Sequence, residues 1–312
     1  MNNHKQSEIL LESGINELEI MEFTMNDELF GINVAKVREI MMVEVVKPMQ
    51  KSNPYVEGIF KPRDKVLTVI DLSEYLGLGK SDKPERDIYI ITAFNNNEYA
   101  FHVHTVVGID RISCTQMRKP DPVIFGGKEG VATGIVEIDK KLITILDFEA
   151  IIAEICPETG IQYEDIEKLG DATRNGKAIM IAEDSLLLSK MIVDALHRAG
   201  YINTIKVDNG QDAWDFLCEI RDGGDSVDDH VSCIITDLEM PQMDGHRLTK
   251  LIKSDDKLKH LPLIIFSSLI SAEMRIKGKE LGADEQITKP EIGRLVDVID
   301  GLTKESRNIR MK

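Results

Sequence analysis

The sequence predicts two domains of different fold class: a β-rich first half, followed by an α/β doubly wound domain with a five-stranded parallel sheet. Three observations lead there. Leu18 to Met25, Leu29 to Val34, Lys65 to Leu72 and Ile88 to Phe94 are short alternating segments parted by Asn, Asp, Gly or Pro clusters, the pattern of short strands in a barrel or sandwich. An internal repeat runs through the same half. From Lys177 onward, apolar strands alternate with helical stretches, which argues for an open parallel sheet covered on both faces.

In the repeat, Gly58-Ile59 followed by Val66-Leu67-Thr68-Val69-Ile70-Asp71 recurs as Gly134-Ile135 followed by Leu142-Ile143-Thr144-Ile145-Leu146-Asp147, with the same internal spacing. Upstream of each copy, Phe30-Gly31-Ile32-Asn33-Val34 with Val37 and Ile40 parallels Tyr99-Ala100-Phe101-His102-Val103 with Val106 and Ile109. The i, i+3, i+6 spacing that closes both matches predicts one or two helical turns after a strand. One fold unit is therefore expected twice within residues 1–156.

Residues 157–176 are polar, contain Gly160 and Gly170, and read as a linker. The second domain is expected over 177–303 and a basic, frayed tail over 304–312. Its strands are Ala178 to Ala182, Thr204 to Val207, Cys233 to Thr236, Leu263 to Phe266 and Gln286 to Thr288; Leu186 to Ala199 and Gln211 to Ile220 are helices. Asp222 to Asp229, with Gly223 and Gly224, reads as a solvated loop.

Composition narrows the function. The 312 residues are 42% hydrophobic and 29% charged, as in ordinary globular proteins. A formal net charge of −16 opposes nucleic acid and anionic membrane surfaces, so the expected partners are proteins. Cys114, Cys156, Cys218 and Cys233 are scattered singly, which fits a reducing, cytoplasmic compartment. No apolar run approaches the roughly 20 residues that span a bilayer, so a location at a membrane requires a partner.

The chemistry gathers at strand ends. Glu183-Asp184 closes the first strand of the second domain, Asp237 the third, Ser267 the fourth and Lys289 the fifth, and parallel strands bring these ends to one edge. Carboxylates from two strand ends make a hard oxygen site suited to Mg2+. Beside such a cation Asp237 is the candidate nucleophile toward phosphorus, with Ser267 and Lys289 placed to meet phosphoryl oxygens. Taken singly, the acidic pair also reads as a cap for the next helix, and Asp237 as the start of a turn. His102, His104 and His246 have no ligand partners nearby in sequence and read as surface or satisfied residues, and Trp214 reads as a partly buried helix residue.

Ile181-Ala182-Glu183-Asp184, Asp237-Leu238-Glu239-Met240-Pro241-Gln242-Met243-Asp244-Gly245, Phe266-Ser267-Ser268 and Gly282-Ala283-Asp284 leading to Lys289-Pro290 resemble the motif set of two-component receiver domains. The resemblance implies a flavodoxin-like fold and Asp237 as phosphoacceptor. It also implies Mg2+ held by Glu183, Asp184, Asp237 and the Glu239 carbonyl, a switch through Ser267 and Lys289, and a cis Lys289–Pro290 bond. Two residues depart from the pattern: Gln286 stands where receivers carry Tyr or Phe, and Glu239 adds a carboxylate beside the site.

The first half resembles CheW-like adaptor domains through Phe30 to Val34, Gly58 to Val66 and Thr68 to Leu72. That resemblance implies two SH3-like barrels and makes Arg63 the candidate receptor contact, although a solvated turn arginine would look the same. Asp64 stands where the family often has Gly. In this order the two resemblances match the CheV-type chemotaxis coupling proteins. They imply a scaffold between chemoreceptor tips and the histidine kinase CheA, tuned by phosphorylation and without enzymatic turnover beyond loss of its own phosphate. A phosphate sink for CheA is the alternative in the same class. An aspartyl-phosphate phosphohydrolase is the alternative among enzymes, because Glu239 lies two residues past the nucleophile.

Overall fold

The structure, a computed structural model, describes residues 16–94, 97–120, 131–156, 177–268, 270–289 and 291–310. The expected linker and Pro290, with the isomer of its peptide bond, lie outside the described residues. The chain forms two compact units, Leu18–Ile112 with Lys119–Pro157, and Glu158–Lys312 with Met1–Glu17 and Ser113–Arg118.

The first half contains β1 (Glu17–Met25), β2 (Glu28–Asn33), β3 (Val37–Met42), β4 (Val56–Phe60), β5 (Leu67–Asp71), α1 (Leu72–Leu76), β6 (Ile88–Phe94), β7 (Asn97–Val103), β8 (Thr105–Ser113), β9 (Ala132–Ile138), β10 (Lys141–Leu146) and α2 (Phe148–Ile155). Asn26 and Asp27 turn β1 into β2, and Asp139 and Lys140 turn β9 into β10. All four residues have φ between 46° and 67°, the mirror-image turn whose twist suits a two-residue hairpin. The helical turns expected after the two matched strands are absent in that form. Val34–Lys36 makes a single 3-10 turn before β3, while Val106 and Ile109 lie within strand β8. Their β-branched side chains fit a pleated surface, and pairing with neighbouring strands outweighs the helical spacing.

The strands form two five-stranded sheets, ordered β8-β1-β2-β10-β9 and β3-β6-β7-β5-β4. Each sheet joins the leading hairpin of one repeat to three later strands of the other. Among the joints are two parallel pairings, Ile145 beside Gly31 and Val69 beside Ala100, at corresponding positions of the two repeats. Each repeat ends on an aspartate that caps a helix. The Asp71 carboxylate accepts from Glu74 N at 2.8 Å, and that of Asp147 from Ala150 N at 3.0 Å.

One core serves both sheets, drawing Phe23 and Ile32 from the first, Ile70, Ile90 and Phe101 from the second, and Phe148 and Ile151 from α2. Phe148 is fully buried, with ring centroids 4.4 Å from Phe101 and 6.2 Å from Phe23. Alternate residues of the second sheet, among them Leu67, Val69, Tyr89 and Ile91, form a separate cluster. Burial on both faces accounts for the nearly unbroken apolar run of β6.

The second half contains β11 (Ala178–Ala182), α3 (Leu186–Arg198), β12 (Thr204–Val207), α4 (Gly210–Gly223), α5 (Val227–His230), β13 (Val231–Thr236), α6 (Gly245–Ser254), β14 (Leu263–Ser267), α7 (Ala272–Glu280), β15 (Glu285–Thr288) and α8 (Ile292–Arg310). The sheet order is β12-β11-β13-β14-β15, and every pairing is parallel. Ile179, Ile181 and Phe266 face α3 and α8, whereas Met180, Ala182 and Ile265 face α4 and α6. The order reverses between β11 and β13, which opens a crevice at their carboxyl ends.

Two segments differ from expectation. The expected loop at Asp222–Asp229 begins inside α4, breaks at Gly224 with φ of 90°, and includes the one-turn α5. Helix α8 continues through the expected tail to Arg310, because no Gly or Pro follows Gly301 to stop it. The Phe148→Ala variant is expected to lose about 3–5 kcal/mol of stability, read as a lower urea midpoint of the circular-dichroism transition. A loss below about 1 kcal/mol would show that this ring does not carry the shared core.

Candidate functional site

The carboxyl ends of β11, β13, β14 and β15 bring the expected residues together. Asp237 N donates to Ala182 O at 2.9 Å, tying the residue after β13 to the end of β11. Ser267 lies opposite Thr288 in the sheet register, and its carbonyl accepts from Lys289 N at 3.2 Å, so hydroxyl and ammonium rise from neighbouring strand ends. Glu183, Asp237, Ser267 and Lys289 are all buried.

The helix-cap reading of the acidic residues does not hold. Ser185 caps α3, with its hydroxyl accepting from Leu188 N at 3.5 Å, and Asp244 caps α6, accepting from Arg247 N at 2.6 Å. Glu183, Asp184 and Asp237 gather as an acidic group at this edge. Their nearest carboxylate oxygens lie within 4.8 Å of one another.

Lys289 enters this cluster from the carboxyl end of β15. Its Nζ donates to Glu183 Oε2 at 2.8 Å and stands 3.4 Å from Asp237 Oδ2. At an effective dielectric near 20, two like charges ~4 Å apart repel by about 4 kcal/mol. Three carboxylates at these separations repel one another, so the set favours a cation. Asp237 Oδ1 is buried and has no hydrogen-bond partner among the described residues, a cost that coordination would remove. A cluster made only of carboxylate oxygens fits Mg2+ rather than a softer metal.

The loop after Asp237 is held by close backbone approaches. Gly245 N donates to Leu238 O at 3.0 Å, and a Cβ at Gly245 would lie 2.0 Å from the Asp237 carbonyl oxygen. Gly210 N donates to Met243 O at 3.1 Å, where a Cβ would meet that oxygen at 2.6 Å. The left-handed turn of this loop falls on Gln242, with φ of 63°, so Gly245 serves close approach rather than turn geometry. Glu239 is half-buried in the same loop.

Gln286 is buried and packs across α7. Its Nε2 donates to Arg275 O at 2.7 Å, Arg275 Nη1 donates to Gln286 O at 3.2 Å, and a Cβ at Gly278 would lie 2.5 Å from its Oε1. The position is thus locked to the helix by polar contacts.

In the first half, Arg63 projects from the β4–β5 connection with its side chain 77% exposed, and it donates to Glu39 Oε1 at 2.7 Å. Ile40 and Met42, at alternate positions of edge strand β3, are also exposed. The sequence reading missed His102, whose ring contacts Glu57 and Asp87. No local spacing links these three residues, because they come from different strands and loops.

The chain matches the CheW-like domain family over residues 19–156 and the response regulator receiver domain family over residues 179–300. The chemotaxis protein CheV3 of Helicobacter pylori is 28% identical over 300 residues, covering 88% of this chain and 91% of the relative. A probable chemotaxis protein CheW of Rhizobium etli is 30% identical over 137 residues, 44% of this chain and 88% of the relative. The polar-differentiation response regulator DivK of Brucella anthropi is 30% identical over 124 residues, 39% of this chain and 93% of the relative. With a CheW-like domain followed by a receiver whose acidic cluster and lysine meet at one sheet edge, the chain belongs to the CheV-type family of chemotaxis coupling proteins.

Proposed function

We propose that this chain couples chemoreceptors to the histidine kinase CheA through its CheW-like half, and that phosphorylation of Asp237 tunes the coupling. The observation that carries the reading is the convergence of Glu183, Asp184, Asp237 and Lys289 within one sheet edge of a receiver that follows an adaptor domain. CheV-type proteins act as adaptors, and we read this one as a phosphoacceptor that turns over no small-molecule substrate.

Asp237 supplies the carboxylate oxygen that forms the new bond to phosphorus as the donor's bond to phosphorus breaks. Glu183, Asp184, Asp237 and the Glu239 carbonyl would hold Mg2+, which when bound offsets the charge on the transferred phosphoryl group. Lys289 is held by Glu183 next to Asp237 and gives a point charge to the phosphoryl oxygens. Ser267, at the neighbouring strand end, donates its hydroxyl to the same group.

A phosphorylated and an unphosphorylated state alter coupling only if partners bind them with different affinity. Gln286, locked to α7 on the side away from β13, offers a polar route for that difference, since a shift of Ser267 in β14 acts directly on β15. Arg63 and the exposed face of β3 are the surfaces we assign to partner contact, with Arg63 meeting a receptor tip. These partners place the protein at cytoplasmic receptor arrays.

Asp184→Asn is expected to weaken Mg2+ binding at least about tenfold, or ~1.4 kcal/mol, in calorimetric titration of the full chain; unchanged affinity would remove Asp184 from the metal set. Binding of the full chain to purified CheA and receptor signalling tips, with Mg2+ and beryllofluoride, is expected to change relative to the untreated protein, and Asp237→Asn is expected to abolish the change. Binding that is indifferent to beryllofluoride would favour a phosphate sink, and no binding would remove the adaptor assignment.

A further inference from the structure

In the CheW-like half, a histidine sits between two carboxylates. His102 lies in β7, and its Nδ1 is 2.6 Å from Glu57 Oε1 on β4 while its Nε2 is 3.0 Å from Asp87 Oδ2, immediately before β6. Carboxylates only accept hydrogen bonds, and a neutral imidazole can donate from one nitrogen alone. With both carboxyl groups ionised, the two contacts are satisfied together only by the imidazolium, the arrangement in which the ring donates from both nitrogens.

The surroundings make that proton matter. Asp87 is 2% exposed, and its second oxygen accepts from Ser81 Oγ at 2.7 Å, which closes the 81–87 segment into a loop. The strand registers place Asp71 of β5 and Tyr89 of β6 opposite His102, and the Tyr89 ring stands edge-on at 5.4 Å. Lys80 and His104 face the same group across a cleft of about 370 Å3. Tyr89 stays neutral, its hydroxyl pushed up to about 12 by burial and then by the Glu57 charge. Burial disfavours the charged His102 ring, but the hydrogen bonds and charges of Glu57 and Asp87 outweigh it and hold the ring above its ordinary value of 6.5.

We propose that His102 is a proton-operated clamp in the CheW-like domain: as imidazolium it ties β4 to the segment before β6, and loss of its Nε2 proton releases Asp87 and opens the cleft. The longer Nε2 contact loses its proton first, leaving two acceptors face to face and a buried carboxylate with Ser81 as its remaining partner among the contacts described above. Because the folded state holds this proton more tightly than the unfolded chain, the clamp's stabilisation is complete below about pH 6.5 and fades as pH rises through the raised folded value. The inference is independent of the receiver and of Asp237.

The test is an imidazole nitrogen NMR titration of the full chain from about pH 5.5 to 9, run alongside hydrogen-exchange protection factors for residues 81–87. The expected result is a His102 midpoint above 6.5, with protection of 81–87 falling about tenfold across the same midpoint and protection of β1 unchanged. His102→Gln, which keeps one donor, is expected to erase that step, and His104→Gln to keep it. A midpoint at or below 6.5, or flat protection across the titration, would overturn the clamp. Those two readings on the wild-type chain decide the question even if His102→Gln does not fold.

Discussion

A sheet whose strands all run parallel has every carboxyl end at one edge, and that constraint builds the receiver's site. The pair Glu183-Asp184, Asp237, Ser267 and Lys289 are far apart in sequence, yet each follows or ends a strand of the same sheet. The helices on both faces exclude water from the strands, so the groups meet where charge interactions are strong. The fold therefore gathers like charges at one edge, an arrangement that suits a cation.

The CheW-like half reaches its architecture by exchange. Each five-stranded sheet takes its leading hairpin from one repeat and its remaining strands from the other, so neither repeat completes a sheet alone. The same exchange places α2, which follows the second repeat, over a core that includes strands of both sheets. Such long-range pairing makes the two repeats a single cooperative object, and a change in one repeat is felt by sheets built from both.

The two halves use related electrostatics to different ends. In the receiver Lys289 lies between Glu183 and Asp237, and in the CheW-like half His102 lies between Glu57 and Asp87. Removing either cation takes an opposite charge away from buried or partly buried carboxylates. The imidazolium gives up its proton as pH rises, which makes the second arrangement reversible.

Strand and helix positions in the receiver follow the apolar pattern closely, since β11 and β12 coincide with the predicted segments and the remaining strands differ by a residue or two. Each such element is set by local periodicity, which a sequence displays directly. The convergence of the candidate residues at one sheet edge was legible for the same reason, because each lies at the end of such an element. The repeat was visible as well, down to the aspartates at 71 and 147, but their role as helix caps was not. Helical spacing after Val34 and Val103 misled because strand pairing, a contact between distant residues, overrode it. The partners that local spacing could not supply, Glu57 and Asp87 for His102, Met243 for Gly210 and Arg275 for Gln286, come from register and loop packing. The sequence by itself determined the two fold classes, the order of the domains and the chemical groups at the sheet edge. Only the tertiary structure decided which repeat pairs with which, which residues cap the helices and which histidine holds a proton, because those depend on contacts between segments that no local pattern encodes.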